Sequence, residues 1–248
     1  FDGAGQIVRS PEAVGSFPAF HTDDRFTYAM GDASPAYDER VASATREVLV
    51  IDNTFFVMID RFKLTYETMW TWHLHAAKQI TVDTDTRCAF LAYDKAAMDV
   101  VFCHRNDMRF RPWDGYDIMP YGYDTPECLP ENAARFHLDV SSAAPVKGDA
   151  LLTVLFPRLA KDDRPEISAL LDGQGEGTRI NSDGKTYTAL LSRRNQPIDI
   201  DGCQSDASAA VVYQNGNGNV DRVILIDGNI ITLNGKNPDE NLITRLTS

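Results

Sequence analysis

His73 and His75 stand on alternate positions in MWTWHLHA, residues 69–76, with Trp70 and Trp72 beside them. On an extended strand an H-x-H pair projects both imidazoles to one face, and it can hold zinc when a neighbouring strand adds a third ligand. Asp52 and Asp60 are the carboxylates that the sequence offers for that role. The competing reading is structural: Trp70, Trp72 and Leu74 share one face and enter a core, while Thr71, His73 and His75 face solvent or an adjoining domain. A second group joins cations to aromatic planes. Arg109, Arg111, Trp113 and Tyr116 follow His104 and Arg105, with Tyr121 and Tyr123 a little further on. Guanidinium forks suit the carboxylates and sulfates of acidic sugars, and a pyranose face stacks on an indole. Against this stands a solvated loop whose arginines pair with Asp107, Asp114 and Asp117, the reading that short sequence separation favours. His21 and His137, each beside apolar residues, read as packed histidines.

No nucleophile elbow, P-loop, dinucleotide fingerprint or H-E-x-x-H motif occurs. The glycines of DGQGEGTR lack the lysine and the strand-to-helix setting of a phosphate cradle, so that segment reads as a loop.

The elements that must position these groups are strands. Runs of β-branched and aromatic residues alternate with turn residues throughout. REVLVIDNTFFVMIDRFKL reads as two strands around an Asp52-Asn53 turn. AAVVYQ and VDRVILID flank Asn215-Gly216-Asn217-Gly218, a strong hairpin signal because Asn and Gly tolerate positive φ. IDGNIITL repeats the device at Asp227-Gly228. Residues 164–173, RPEISALLDG, have a proline start and a glycine stop and predict two turns of helix. Residues 105–133 hold four prolines and read as a long surface loop. The fold expected is all-β: a large antiparallel β-sandwich of stacked sheets with long surface loops and at most one or two short helices. Residues 1–160 form the main sandwich, and residues 161–248 complete it or form a small second β layer.

The chain of 248 residues carries a formal charge of −12, which opposes general nucleic-acid binding. No apolar run reaches the ~18 residues that a membrane helix needs. The opening residues, FDGAGQIVRS, have neither a basic start nor an apolar signal core, and read as the start of a mature product or of an excised piece. Cys88, Cys103, Cys128 and Cys203 form no C-x-x-C pair; an oxidised Cys103–Cys128 bridge and four free thiols both fit the spacing.

The order of segments resembles a known family. FDGAGQ, FTYAMGDASPAYDE, TREVLVIDNTFFVMIDRF, WTWHLHA and ALLTVLFPR look like the C-terminal part of the heparinase II/III-like polysaccharide lyases. Arg46 precedes a hairpin that ends on Val57 to Asp60; Trp72, Leu74 and His75 match the following strand; Gly31 to Ser34, Ala36 and Tyr37 match a further motif. The resemblance covers residues 1–160. It implies an (α/α) toroid followed by stacked β-sandwich layers, and β-elimination on uronic-acid-containing polysaccharides, with a tyrosine and a histidine moving the protons. The toroid has no counterpart in these 248 residues. The family's metal and catalytic histidines precede the segment matched by Phe1-Asp2-Gly3, so no catalytic residue carries over. The resemblance therefore implies the C-terminal β-sandwich portion of an exported bacterial lyase, extracellular or periplasmic. It would support a helical toroid of the same parent chain, act with it on an acidic polysaccharide, and be inactive alone. Any structural zinc or calcium ion would belong to that parent. Two alternatives stay open: a carbohydrate-binding β-sandwich module without catalysis, using Trp113, Tyr116, Tyr121 and Tyr123 as a stacking platform and Arg109 and Arg111 as anion grips, and a self-contained metal enzyme on His73 and His75. The net negative charge points to weakly sulfated uronates, or to a substrate surface confined to the toroid.

Overall fold

The computed structural model describes residues 1, 5–7, 10–116, 124–130, 133–171, 174–192 and 196–247. Among these residues the chain forms twenty strands and three single turns of 3-10 helix. In chain order the strands are β1 (Ser16–Thr22), β2 (Phe26–Asp32), β3 (Val41–Ile51), β4 (Phe55–Thr68), β5 (Thr71–Ala76), β6 (Ile80–Asp83), β7 (Cys88–Tyr93), β8 (Ala96–Cys103), β9 (Met108–Asp114), β10 (Phe136–Ser142), β11 (Val146–Leu159), β12 (Glu166–Leu170), β13 (Glu176–Ser182), β14 (Lys185–Leu191), β15 (Ile198–Ile200), β16 (Cys203–Ser205), β17 (Ala209–Gln214), β18 (Val220–Ile226), β19 (Ile231–Leu233) and β20 (Ile243–Leu246).

They assemble into four sheets. An eight-stranded sheet has the order β1-β2-β3-β4-β11-β8-β7-β6, and a six-stranded sheet the order β12-β13-β14-β17-β18-β20. Two three-stranded sheets, β5-β10-β9 and β15-β16-β19, lie outside them. Strand pairing is antiparallel apart from β18 with β20. The stacking follows from side-chain alternation. Along β8, Val100 and Phe102 join a core with Trp70, Trp72, Leu138 and Val140 of the three-stranded sheet β5-β10-β9. Val101 and Cys103, one position on in each case, join a core with Ile180, Tyr187, Val211 and Ile224 of the six-stranded sheet. The other face of that sheet buries Leu190, Val212 and Leu225 against Ile198, Ile200 and Ile231. The two large sheets are thus apolar on both faces, which is why DVVFC, AAVVY and RVILI read as continuous apolar runs. Each large side chain fully buried in these seams contributes about 1.5–3 kcal/mol relative to exposure.

Polar ties cross the central seam. Arg61 of β4 donates from Nε to Glu47 Oε1 at 2.8 Å and from Nη2 to the Ser208 carbonyl at 2.9 Å, joining the two large sheets. Asp52, in the β3–β4 turn, accepts from Arg25 Nε at 2.8 Å, from the Tyr187 hydroxyl at 2.7 Å and from Lys185 Nζ at 3.0 Å.

The turn chemistry read from the sequence closes two hairpins. Asp52 and Asn53 adopt φ of 47° and 53° between β3 and β4, and Gly218 adopts φ of 78° between β17 and β18. Three local expectations are corrected. The helix over 164–173 is absent from the described part of that span: Glu166–Leu170 is β12, paired residue for residue with β13, whose free ladder outweighs the helix punctuation. Asp227-Gly228 is not a hairpin turn, because β19 leaves for another sheet and pairs with β16. A Cβ on Gly228 would lie 2.3 Å from the Ala207 Cα, so glycine is required by close passage rather than by a turn. The span 105–133 is in part a strand, β9; its residues 117–123 and 131–132, with Asp117, Tyr121 and Tyr123, lie outside the described residues. The four cysteines are free thiols, with Cys88, Cys103 and Cys203 buried and Cys128 exposed. Burial pushes the Cys103 thiol up to about 12.

Candidate functional site

The three-stranded sheet β5-β10-β9 turns one face into the core and the other outward. Trp70 ahead of β5 and Trp72 within it are 3% and 8% exposed on the inner side, as the alternation of MWTWHLHA requires. The outer side is set by register. Thr71 opposes Ser141, His73 opposes Asp139 and His75 opposes His137 across β5 and β10. Across β10 and β9, Ser141 opposes Arg109, Asp139 opposes Arg111 and His137 opposes Trp113. The result is a grid of three rows: Thr71–Ser141–Arg109, His73–Asp139–Arg111 and His75–His137–Trp113.

Each row is held by its own bonds. Thr71 Oγ1 and Ser141 Oγ are 3.1 Å apart, and Arg109 Nη2 donates to the Ala143 carbonyl at 3.1 Å. In the middle row His73 Nδ1 donates to Asp139 Oδ1 at 2.8 Å, while Trp113 Nε1 donates to Asp139 Oδ2 at 3.1 Å. Arg111 Nη1 lies 3.8 Å from Asp139 Oδ2, and the arginine side chain is 72% exposed. Its carbon sits 5.8 Å from the Trp113 ring centroid. In the third row His75 Nδ1 and His137 Nδ1 are 2.5 Å apart. The His137 ring is stacked on Trp113 at 4.1 Å, meets Tyr116 edge-on at 5.4 Å, and donates from Nε2 to the Gly115 carbonyl at 2.7 Å. Burial first, then the neighbouring imidazoles of His137 and His73, hold the His75 pKa below the usual histidine value.

The first two rows open into a groove of about 830 Å³ between this sheet and β3–β4 of the eight-stranded sheet. His73, Arg109, Arg111 and Asp139 line one wall, and Arg46, Asp60 and Tyr37 stand on the other. Arg46 grips Asp60 with two bonds, Nε to Oδ1 at 2.6 Å and Nη2 to Oδ2 at 3.0 Å. Burial raises the Asp60 carboxyl above its ordinary range against the pull of Arg46. Within the three rows two guanidiniums face one carboxylate, a local cationic excess on a chain of net charge −12.

The sequence offered the histidines and the arginine–aromatic group as separate candidates; the fold places His73, His75, Arg109, Arg111, Trp113 and Tyr116 together. The carboxylates expected near the histidines are elsewhere engaged, Asp52 with Arg25 and Asp60 with Arg46. Arg111 faces Asp139 rather than Asp107 or Asp114, which lie near Arg87 and Arg135. His104 is not on this face at all: it is buried, with Nε2 2.9 Å from Asp149 Oδ2. Asp139 and His137 were the partners that sequence reasoning missed. Their signal is the alternation of FHLDV, which puts two polar side chains on one face as WHLH does. Among the described residues no three His, Cys, Asp or Glu side chains converge to enclose an ion, so a structural zinc or calcium ion of the parent finds no enclosing ligand set among them.

No family profile matches the chain, and no curated protein matches it. Solved structures do. The crystal structure of heparinase III aligns with a TM-score of 0.53 and 17% identity, over 73% of this chain and 28% of that one. The heparan sulfate lyase HepC from Pedobacter heparinus aligns with a TM-score of 0.53 and 15% identity, over 73% of this chain and 29% of that one. The chain shares a fold with heparinase III. At this identity the likeness to heparinase III carries the fold alone, and the chain spans under a third of its length. No helix among the described residues is long and apolar enough to cross a membrane.

Proposed function

We propose that this chain is the C-terminal β-sandwich portion of a heparinase II/III-like polysaccharide lyase and that it presents an acidic glycan to a helical catalytic toroid. The parent would be an exported bacterial enzyme, extracellular or periplasmic, that cleaves uronic-acid-containing polysaccharide by β-elimination. The observation that carries the glycan half of the reading is the outward grid, where Arg109 and Arg111 line a groove and Trp113 follows in the next row. A guanidinium fork takes a sugar carboxylate through two parallel bonds, and a pyranose would stack on the Trp113 face that His137 does not cover, beside Tyr116. The Arg46–Asp60 pair across the groove supplies a further fixed dipole. A base for the C5 proton and an acid for the leaving oxygen belong, on this reading, to the toroid.

The test has two arms. The isolated chain, incubated with uronate polysaccharides, should give no rise in the ultraviolet absorbance of the unsaturated product; turnover by the chain alone overturns the supporting role. In an affinity gel cast with an acidic uronate polysaccharide the chain should be retarded, and Arg111→Ala and Trp113→Ala should each weaken retention several-fold. Equal mobility of wild type and both variants removes the glycan-facing assignment. A second reading, a glycan-binding module without a catalytic partner, rests on the same face. It is favoured if retention holds while joining the chain to a helical toroid raises no lyase activity.

A further inference from the structure

The third row of the grid holds an arrangement that glycan binding does not use. His75 and His137 are direct cross-strand partners on β5 and β10, and their Nδ1 atoms point at each other at 2.5 Å with the rings 80° apart. The Gly115 carbonyl can only accept, so His137 Nε2 carries a proton and His137 Nδ1 keeps a lone pair directed at His75. That bond is what metal-ligating imidazoles make to their surroundings: the outer nitrogen donates to a carbonyl, and the inner nitrogen is fixed as a ligand. The His137 ring is only 4% exposed, clamped between Trp113, Tyr116 and β5. Its partner His75 is exposed, open to ions and water.

We propose that His75 and His137 together bind a borderline transition-metal ion, Zn(II) or Cu(II), through their two Nδ1 atoms. In the metal-free pair the His75 Nδ1–H donates to His137 Nδ1. On binding, that proton moves through solvent to His75 Nε2, both Nδ1 lone pairs face the ion, and no net proton is released. Two nitrogens around a tetrahedral ion at Zn–N distances of about 2.0–2.1 Å stand about 3.3 Å apart. With His137 in place and its lone pair aimed at the present position of His75 Nδ1, the ion takes up a place close to that position, and the exposed His75 nitrogen has to swing aside by about 2 Å. Water completes the shell. Imidazole nitrogen selects zinc and copper over the hard ions calcium and magnesium. The pair is not the H-x-H pair that the sequence suggests: His73 stacks on His75 at 6.2 Å with near-parallel rings and spends its Nδ1 on Asp139. The site needs neither arginine of the glycan reading, and shares with it only Trp113 and Tyr116, which pack on His137.

The chain, purified without a polyhistidine tag, is titrated with Zn(II) by calorimetry and with Cu(II) by quenching of tryptophan fluorescence. Saturable binding of one ion per chain is expected, and Trp113→Phe should remove most of the Cu(II) quenching, because the other tryptophans lie on the buried side of the sheet. His75→Ala changes an exposed ring and should weaken both ions at least tenfold. His73→Ala should change affinity less than threefold. Lowering the pH from 7.5 to 5.5 should weaken binding as protons compete for the nitrogens. The proposal is overturned by an absence of saturable binding at 100 μM of either ion, by His75→Ala binding like wild type, or by equal losses in His73→Ala and His75→Ala. His137→Gln, checked for a wild-type melting curve, repeats the test from the buried side; a folded variant with undiminished affinity overturns it too.

Discussion

In the sequence His104 opens the cationic run and His137 sits beside apolar residues; the fold buries both and gives them opposite surroundings. His137 meets two aromatic rings and another imidazole. His104 meets a carboxylate, Asp149, which also accepts from Trp70 Nε1 at 3.3 Å. Burial opposes a charge on His104, but the bond and charge of Asp149 outweigh it and the net shift is upward from 6.5. A histidine whose folded value lies above its unfolded value contributes stability that is complete below about 6.5 and is lost as pH rises through the folded value. Asp149→Asn should therefore cost about 1–3 kcal/mol at pH 5.5 and distinctly less at pH 8 or above. Urea denaturation of both proteins at the two pH values measures the difference, and a gap that widens with pH contradicts the pairing. At this scale the sequence showed residue types faithfully and partners poorly. His73 and His75 were visible as a same-face pair because alternation is local. Asp139 and His137 were not, because cross-strand register depends on how two distant segments align.

Turns and strands were legible where local chemistry decides them, as at Asp52-Asn53 and Asn215–Gly218. They were misread where a neighbour decides. Pro165 resembled a helix start only until β13 offered Glu166–Leu170 a complete backbone ladder. Gly228 resembled a turn residue when its task is to let the chain pass Ala207. The Asp52 turn carries a further consequence, because its carboxylate ties the β3–β4 hairpin to β14 of the six-stranded sheet. Burial works against the charge, but the bonds from Arg25, Tyr187 and Lys185 together prevail and bring the pKa from 3.8 down to about 2. A depressed carboxyl contributes stability that is present above its unfolded value and lost as pH falls through its folded value. Asp52→Asn should cost about 1–3 kcal/mol near pH 7, and the variant should show a flatter stability profile than wild type between pH 4 and pH 2. Thermal melts across that window read the slope; parallel profiles would show that the charge of Asp52 does not tie the sheets.

In the whole molecule the stacked all-β architecture was legible from turn spacing and apolar runs, but the sharing of sheets between cores was not. Continuous apolar stretches such as DVVFC signal burial without saying that Val100 and Val101 belong to different interiors. That sharing bears on the division of the chain at residue 160. The eight-stranded sheet, all of whose strands lie before residue 160, covers its inner face with Ile180, Tyr187, Val211 and Ile224, all from beyond residue 160. Removing residues 161–248 would uncover Phe26, Leu49, Val57, Leu152 and Val154, each fully buried in the intact chain. It would also leave Glu47 and Arg61 without the Ser208 carbonyl that receives the guanidinium. At about 1.5–3 kcal/mol for each large apolar side chain exposed, these five alone would cost about 7–15 kcal/mol, as much as the ~5–15 kcal/mol by which a folded domain is ordinarily stable. A protein of residues 1–160 should therefore bind the dye ANS strongly and melt without a cooperative transition, whereas the full chain melts sharply. A 1–160 product that melts cooperatively and leaves the dye dark would show that the β1–β11 sheet and its small partner sheet are a domain in their own right, with the six-stranded sheet docked on a surface stable without it.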